Sequence, residues 1–171
     1  MSLKYYKPTT AARRHKVGID YVKDNIWRGS PLKKLSNNIR KKVGRNHGLI
    51  SSYHRGGGAR KIYRNIDFTR RLLDVHGIIK RIEYDPNRSS YISLVVYENG
   101  DIAYVLSTEG VTIGDVIIST RSNEVNIKRG NSMPLKQIPV GTTVHNIEIR
   151  PGAGGSLARA AGTSAKLIKI E

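Results

Sequence analysis

The sequence contains no cysteine. That excludes a disulfide framework and a cysteine-ligated zinc site, and it suits a reducing compartment. Acids are scarce, with 13 Asp and Glu against 30 Lys and Arg. No apolar run approaches the roughly 18 residues of a transmembrane helix. Met1 to Lys16 also has no apolar stretch of the roughly 7–15 residues that a secretory signal uses. His15, His47, His54, His76 and His145 are scattered without an H-x-x-x-H pair, and no carboxylate stands beside those in the first 58 residues. No metal centre is therefore expected. Neither a G-x-x-x-x-G-K-[ST] loop nor a strand–GxGxxG–helix unit occurs. Ser51, Ser52, Ser156 and Ser164 have no context that would activate a nucleophile. The expectation is a protein that is not an enzyme, with no cofactor of its own, no small-molecule substrate and no membrane partner.

What the chain does have is positive charge, concentrated at one end. Met1 to Arg64 holds 17 Lys and Arg against Asp20 and Asp24, a net +15. Asn65 to Thr120 carries −3, and Arg121 to Glu171 carries +5. A segment as basic as the first repels itself and offers too few large apolar residues to offset the entropy of ordering it. It is expected to take shape only against a polyanion. The bases recur singly or in pairs among Gly, Ser, Asn and Tyr, as in a strand threaded between phosphates, and RNA is the partner expected.

Hydrophobic periodicity divides the remainder. Residues 1–58 show little period and read as an extended basic arm. Leu32–Val43 has apolar residues at 32, 35, 39 and 43, which allows one short helix capped by Ser30 or a coil fixed only by RNA. From residue 59 to 120 period-two alternation predicts five short antiparallel strands at Arg60–Phe68, Gly77–Tyr84, Ser90–Tyr97, Ile102–Leu106 and Thr112–Ile118. Asn99-Gly100 predicts a type I′ hairpin turn. Asp85-Pro86-Asn87 predicts a second turn. Five such strands suit a small closed barrel of the OB type. Residues 121–171 start a second β unit whose two or three strands cannot close a barrel. The remaining strands belong to another polypeptide, or this end docks on the first barrel.

The informative constellation pairs glycines with cations. Gly56, Gly57 and Gly58 lie between His54, Arg55, Arg60 and Lys61, with Arg64 following. Without side chains, backbone N–H groups can approach phosphates closely, and arginine can pair with phosphates or stack on bases. Arg40, Lys41, Lys42, Arg45 and Asn46 form a second cluster, and Arg13-Arg14 a third. Arg150, Gly152 and Gly154 repeat the pattern in the second unit. Tyr5, Tyr6, Tyr21, Trp27 and Tyr53 are interleaved with the bases, where they either stack on RNA bases or cover the barrel. His145, beside Asn146 and Glu148, is expected to be a hydrogen-bonded structural residue.

The ordered motifs match a known family. They are Lys4-Tyr5-Tyr6-Lys7-Pro8-Thr9-Thr10, Gly44-Arg45-Asn46, His54-Arg55-Gly56-Gly57-Gly58, Tyr63-Arg64-Asn65-Ile66-Asp67-Phe68, Ile82-Glu83-Tyr84-Asp85-Pro86-Asn87-Arg88-Ser89, Gly130-Asn131-Ser132-Met133-Pro134-Leu135, Ile138-Pro139-Val140-Gly141-Thr142, Val144-His145-Asn146-Ile147-Glu148 and Arg159-Ala160-Ala161-Gly162-Thr163-Ser164-Ala165. Together they resemble the universal large-subunit ribosomal protein L-two. The resemblance implies an all-β protein, an OB-fold barrel followed by an incomplete SH3-like barrel. It also implies a structural role on 23S-like rRNA among other large-subunit proteins, supporting assembly, subunit association and the peptidyl-transferase region, with Mg2+ entering only through bound rRNA. The RNA-contacting set then also takes in Lys33, Lys34, Arg70, Arg71, Asn87, Arg88 and Arg159. A separate polypeptide is expected to supply the C-terminal half. A match that starts at Lys4 leaves no room for a removable transit peptide, and abundant Ile, Asn and Lys suggest AT-rich coding. A mitochondrial matrix location follows, with plastid or bacterial cytoplasm as the alternative. A free-standing OB-type RNA-binding or assembly factor is the competing reading.

Overall fold

The computed structural model describes residues 2–38, 44–55, 59–122 and 125–169. Its arm contains β1 (Leu3–Tyr5), a single helical turn α1 (Ala11–Arg14), β2 (Val17–Ile19), β3 (Ile26–Trp27), β4 (Ser36–Asn37), β5 (Arg45–Asn46) and β6 (Leu49–Ile50). The middle contains β7 (Tyr63–Arg64), β8 (Gly77–Glu83), β9 (Ile92–Tyr97), β10 (Ile102–Leu106) and β11 (Val116–Ile117). The last unit contains β12 (Thr143–Val144) and β13 (Ala165–Lys166). The protein is nearly all β, as the alternation predicts.

The main sheet is ordered β10-β9-β8-β11, and β3 joins β8 in parallel. The central strand β9 is rich in β-branched and aromatic residues on both faces because it is buried on both, with Val96 half-buried. One face buries Ile79, Val95, Tyr97, Val105, Val111 and Ile117. The other buries Ile92, Leu94, Tyr104 and Leu106 under Leu32, Leu35, Ile66 and Phe68. The sheet is open. Of the expected first strand, Tyr63–Arg64 pairs with Ser36–Asn37 of the arm, and Ile66 meets Tyr104 through a lone parallel bridge. The hairpin after Tyr97 also differs from expectation. A type I′ turn needs positive φ at both central residues, but only Gly100 has it, at 84°. Gly100 N–H bonds Tyr97 O at 2.9 Å and Tyr97 N–H bonds Asp101 O at 2.9 Å, which makes a longer loop ending in a left-handed glycine.

The arm is shaped by protein contacts as well as by its own hairpins. Residues 33–35 form one 3-10 turn and 36–37 are extended, so no α-helix begins at Leu32. The other end of the predicted helix, 39–43, lies outside the described residues. The local reason is Tyr104, whose hydroxyl accepts the Leu32 N–H at 2.9 Å, while Asn65 N–H bonds Leu35 O at 2.9 Å. The Leu35 carbonyl, which a helix would have needed, is thus taken by Asn65, and the sheet also satisfies the Leu32 N–H. The same hydroxyl donates to Glu83, whose two oxygens lie 3.0 Å away. Glu83 is 2 % exposed and also receives Arg81 Nε at 2.6 Å. The Arg81 guanidinium lies 4.7 Å from the Trp27 ring centroid, a cation–π contact. One buried carboxylate therefore holds the arm at Trp27 and at Leu32. Burial raises the Tyr104 phenol above its usual pKa of 10.0, which keeps it a donor.

Replacing Tyr104 with Phe deletes both hydroxyl bonds and leaves a buried carboxylate short of a partner. The expected loss is about 1.5–3 kcal/mol, the scale for hydrogen bonds to charged groups, read from the urea unfolding midpoint of purified protein. A change under about 0.5 kcal/mol, typical of surface substitutions, would contradict the assignment.

Candidate nucleic-acid interface

The arm's cations divide into two groups according to whether the fold already uses them. Arg13, Arg14, Lys33, Lys34, Arg45, Arg55, Arg60 and Arg71 are exposed, and Lys61 is half-buried. Asn46 and His54 are exposed beside them. Arg60 Nε reaches Asn38 Oδ1 at 3.3 Å. Arg40, Lys41, Lys42, Gly56, Gly57 and Gly58 lie outside the described residues.

The β5–β6 hairpin of the arm is exposed along both strands. His47 and Gly48 have φ of 48° and 81°, the two positive values of a type I′ turn. Gly44 closes its base, with its carbonyl accepting from Ser51 and Ser52 N–H at 2.9 and 3.0 Å. A side chain at Gly44 would put Cβ 2.6 Å from Ser52 O, so only glycine fits. Against this base, Arg45, Ile50, Tyr53, His54 and Arg55 line an open concavity of about 360 Å³. Leu49, Ile50 and Tyr53 are exposed among these cations. That combination of flat apolar surface and fixed positive charge suits stacked bases and their phosphates. The sequence reading missed this hairpin, and the His47-Gly48 pair was its signal.

Other predicted contact residues are committed internally. Asp85, at 0 % exposure, accepts Arg88 Nε at 2.7 Å, Asn87 N–H at 2.9 Å and Asn87 Nδ2 at 3.0 Å. Arg64 Nη1 lies 3.9 Å from the same carboxylate and donates to Ile62 O at 2.7 Å. Arg88 also stands 5.9 Å from the Tyr63 ring and 5.7 Å from the Phe68 ring. Arg70 Nη2 donates to Gly130 O at 3.3 Å, and burial lowers its guanidinium below the usual value. Arg64, Arg70 and Arg88 thus tie the exit of the arm to the middle and last units. A buried carboxylate at Asp85 would be costly without Arg64 and Arg88.

The glycine loop of the last unit is also filled from within. Gly152 and Gly154 N–H groups donate to Glu148 at 2.8 and 3.0 Å. The carboxylate sits where a phosphate oxygen would have to go, so Arg150, exposed at the loop, is the group left facing outward. Arg159 is exposed as well, and its guanidinium lies 4.7 Å from the Phe68 ring.

Of the aromatics, Trp27 packs on the main sheet through Arg81, and Tyr21 meets Tyr84 edge-on with ring centroids 6.1 Å apart. Tyr6 takes Lys4 and Lys16 at 5.8 and 5.0 Å. Tyr5 and Tyr53 are the most exposed members of the predicted stacking set, at 74 % and 78 %, and Trp27 keeps 45 % exposure.

Two family descriptions match the chain. "Ribosomal Proteins L2, RNA binding N-terminal domain" covers residues 32–119, and "Ribosomal Proteins L2, C-terminal domain" covers residues 128–171. The chain belongs to the ribosomal protein L2 family. It is 48% identical over 169 residues to the "Large ribosomal subunit protein uL2" of Rickettsia canadensis (strain McKiel). It is 47% identical to that of Rickettsia typhi (strain ATCC VR-144 / Wilmington) and 49% to that of Rickettsia rickettsii (strain Sheila Smith) over the same length. The matches cover 98% of this chain and 60% of each relative. The chain thus spans about three fifths of the length of these L2 relatives. The RNA-binding description runs from Leu32 to Ser119, so it starts at the residue whose N–H is held by Tyr104.

Half-buried His145 links the two L2 units, its Nε2 lying 3.3 Å from Thr108 Oγ1. Burial first, and the Arg70 charge second, hold its imidazolium below the usual 6.5. The folded protein then binds fewer protons here than the unfolded chain. This contribution to stability is complete above about pH 6.5 and falls as pH drops through that value toward the lower folded pKa.

The division of the cations can be tested by comparing two variants. Arg55→Ala should weaken rRNA binding by about 1–2 kcal/mol in filter binding while leaving the unfolding midpoint in place. Arg64→Ala should instead lower stability by about 1–3 kcal/mol, since Asp85 keeps Arg88. Equal effects of the two on stability would contradict the partition. For His145, the midpoint lost between about pH 8 and pH 5 should be smaller in His145→Gln than in the parent; parallel pH curves would contradict the assigned burial.

Proposed function

We propose that this L2-family chain is a structural constituent of the large ribosomal subunit, binding rRNA through the exposed cations of its arm and performing no catalysis itself. The observation that carries the reading is the separation of charge by role. Arg64, Arg70, Arg81 and Arg88 hold the protein together, whereas Arg13, Arg14, Arg45 and Arg55 are exposed on the arm and Arg60 just after it. The RNA-binding description of the matched domain supports it, and so does the name of its relatives. Among the described residues no group of three His, Asp or Glu could hold a metal ion; Mg2+ in this reading belongs to the rRNA. The wider roles of assembly, subunit association and support of the peptidyl-transferase region are proposed for the particle as a whole.

The last unit bears on partners. Thr143↔Lys166 and Val144↔Ala165 form a two-stranded sheet, and Ile147 bridges Leu157. Ile147, Leu157, Ala158, Ala160 and Ala165 line an open apolar concavity of about 440 Å³ beside it. So small a sheet with an open apolar side calls for further strands. The finer reading is that a separate polypeptide supplies them, in a mitochondrial large subunit. The intact mass of the protein in the purified particle tests this. A 19.0 kDa chain with a second L2-like polypeptide supports it, and a single longer chain contradicts it.

Binding should be mainly electrostatic. With roughly ten phosphates contacted, log Kd against log salt should change with a slope magnitude of about 7–9, and the protein should cosediment with the large subunit. A salt-independent affinity, or a protein found in the free pool, would overturn the proposal in favour of a free-standing factor.

A further inference from the structure

The outer face of the main sheet carries three cross-strand rows. Glu83, Ile92 and Leu106 form one, and Arg81, Leu94 and Tyr104 the next. The third is Val116, Ile78, Val96 and Ile102, four β-branched side chains in register across four strands. The arm of the chain covers the first two rows through Trp27, Leu32 and Leu35. The described residues of the arm leave the third partly open. Val116 is 50 % exposed, Ile78 39 % and Ile102 37 %. A contiguous apolar strip on an otherwise covered face marks an interaction surface.

The charge around the strip limits what can cover it. Continuing the β8–β9 register by one step puts His76 opposite Glu98, whose N–H bonds His76 O at 3.0 Å. By strand alternation both stand on the outer face, next to Ile78 and Val96. Glu98, Asp101 and Asp74 are exposed at this end of the sheet, with Lys80 in the bulge after Ile79. Residues 65–120 as a whole carry −3. Phosphates would meet carboxylates here and gain nothing from isoleucine and valine. The sheet edge is open nearby, since pairing of residue 66 with β10 is confined to Tyr104. Ile102–Ala103 lies beyond that bridge and is available for strand addition.

We propose that the Val116–Ile78–Val96–Ile102 row is a docking surface for a second protein of the particle, specifically for an extended basic segment that carries apolar side chains. The arm shows the kind of occupant that fits. It lays Trp27, Leu32 and Leu35 on the neighbouring rows while Arg28, Lys33 and Lys34 stay exposed. A second segment of the same chemistry would lie beside it, with its cations toward Glu98 and Asp101. This surface is separate from the cationic arm and goes beyond rRNA binding.

The test places a benzophenone amino acid at Ile102 and, in a second variant, at Val116. Particle-bound protein is selected by sedimentation before irradiation. That selection depends on the arm alone, so its failure would count against the proposed function, whereas the cross-link reads only the strip. The expected adduct survives ribonuclease, is destroyed by protease, and yields a cross-linked peptide rich in Lys and Arg. At least one of the two positions should give it. A ribonuclease-sensitive adduct, an acidic peptide, or no adduct at either position while a control probe at exposed Ile50 reacts would overturn the proposal.

Discussion

A single buried carboxylate organises the arrangement of this protein. Glu83 cannot lie at 2 % exposure without full hydrogen bonding, because an isolated buried charge costs several kcal/mol. Its two partners, Arg81 and Tyr104, are both in turn engaged by the arm, at Trp27 and at the Leu32 amide. Satisfying the carboxylate and docking the arm are therefore one event. The apolar cover supplied by Leu32 and Leu35 over Ile92, Leu94, Tyr104 and Leu106 excludes water from it and strengthens each polar contact. Asp85 has a similar role two residues further along, gathering Arg64, Asn87 and Arg88 where the arm re-enters the sheet.

This arrangement explains why so basic a chain spends some of its arginines internally. Phosphate binding depends on where the remaining cations emerge, and Glu83 and Asp85 fix two points of an otherwise self-repelling segment. Between those points lies the exposed β5–β6 hairpin, with Arg45 and Arg55 around a concavity. The L2-family fold here works as a mount: internal ion pairs set the direction of external ones.

Much of this was legible in the sequence. The run Ile92–Tyr97 is apolar on both faces because that strand is buried on both, whereas Gly77–Glu83 alternates because one of its faces is partly open. The Asp85-Pro86-Asn87 turn follows from local chemistry. The arm's charge asymmetry and ordered motifs pointed to a ribosomal L2-type chain, and family membership bears that out. Other features depended on partners far away in sequence. Nothing local marks Ile26–Trp27 as a parallel strand on Ile82–Glu83, or distinguishes Arg64 and Arg70 from Arg55 and Arg60. The Gly152 and Gly154 amides read as an empty cradle only while the carboxylate of Glu148 is ignored. The arm was expected to lack shape without polyanion because its own apolar content is low. Within residues 26–37, Leu32 and Leu35 instead rest on the apolar surface of the sheet and Ile26–Trp27 pairs with β8.

Amide hydrogen exchange of the purified, RNA-free protein tests that last point most directly. If the Glu83–Tyr104 contact positions the arm, the Leu32 amide, held by the Tyr104 hydroxyl, and the Asn65 amide, held by the Leu35 carbonyl, should be protected at a level comparable with β8 and β9. Exchange of both at unfolded-chain rates while β8 and β9 stay protected would show that the arm is shaped by RNA alone.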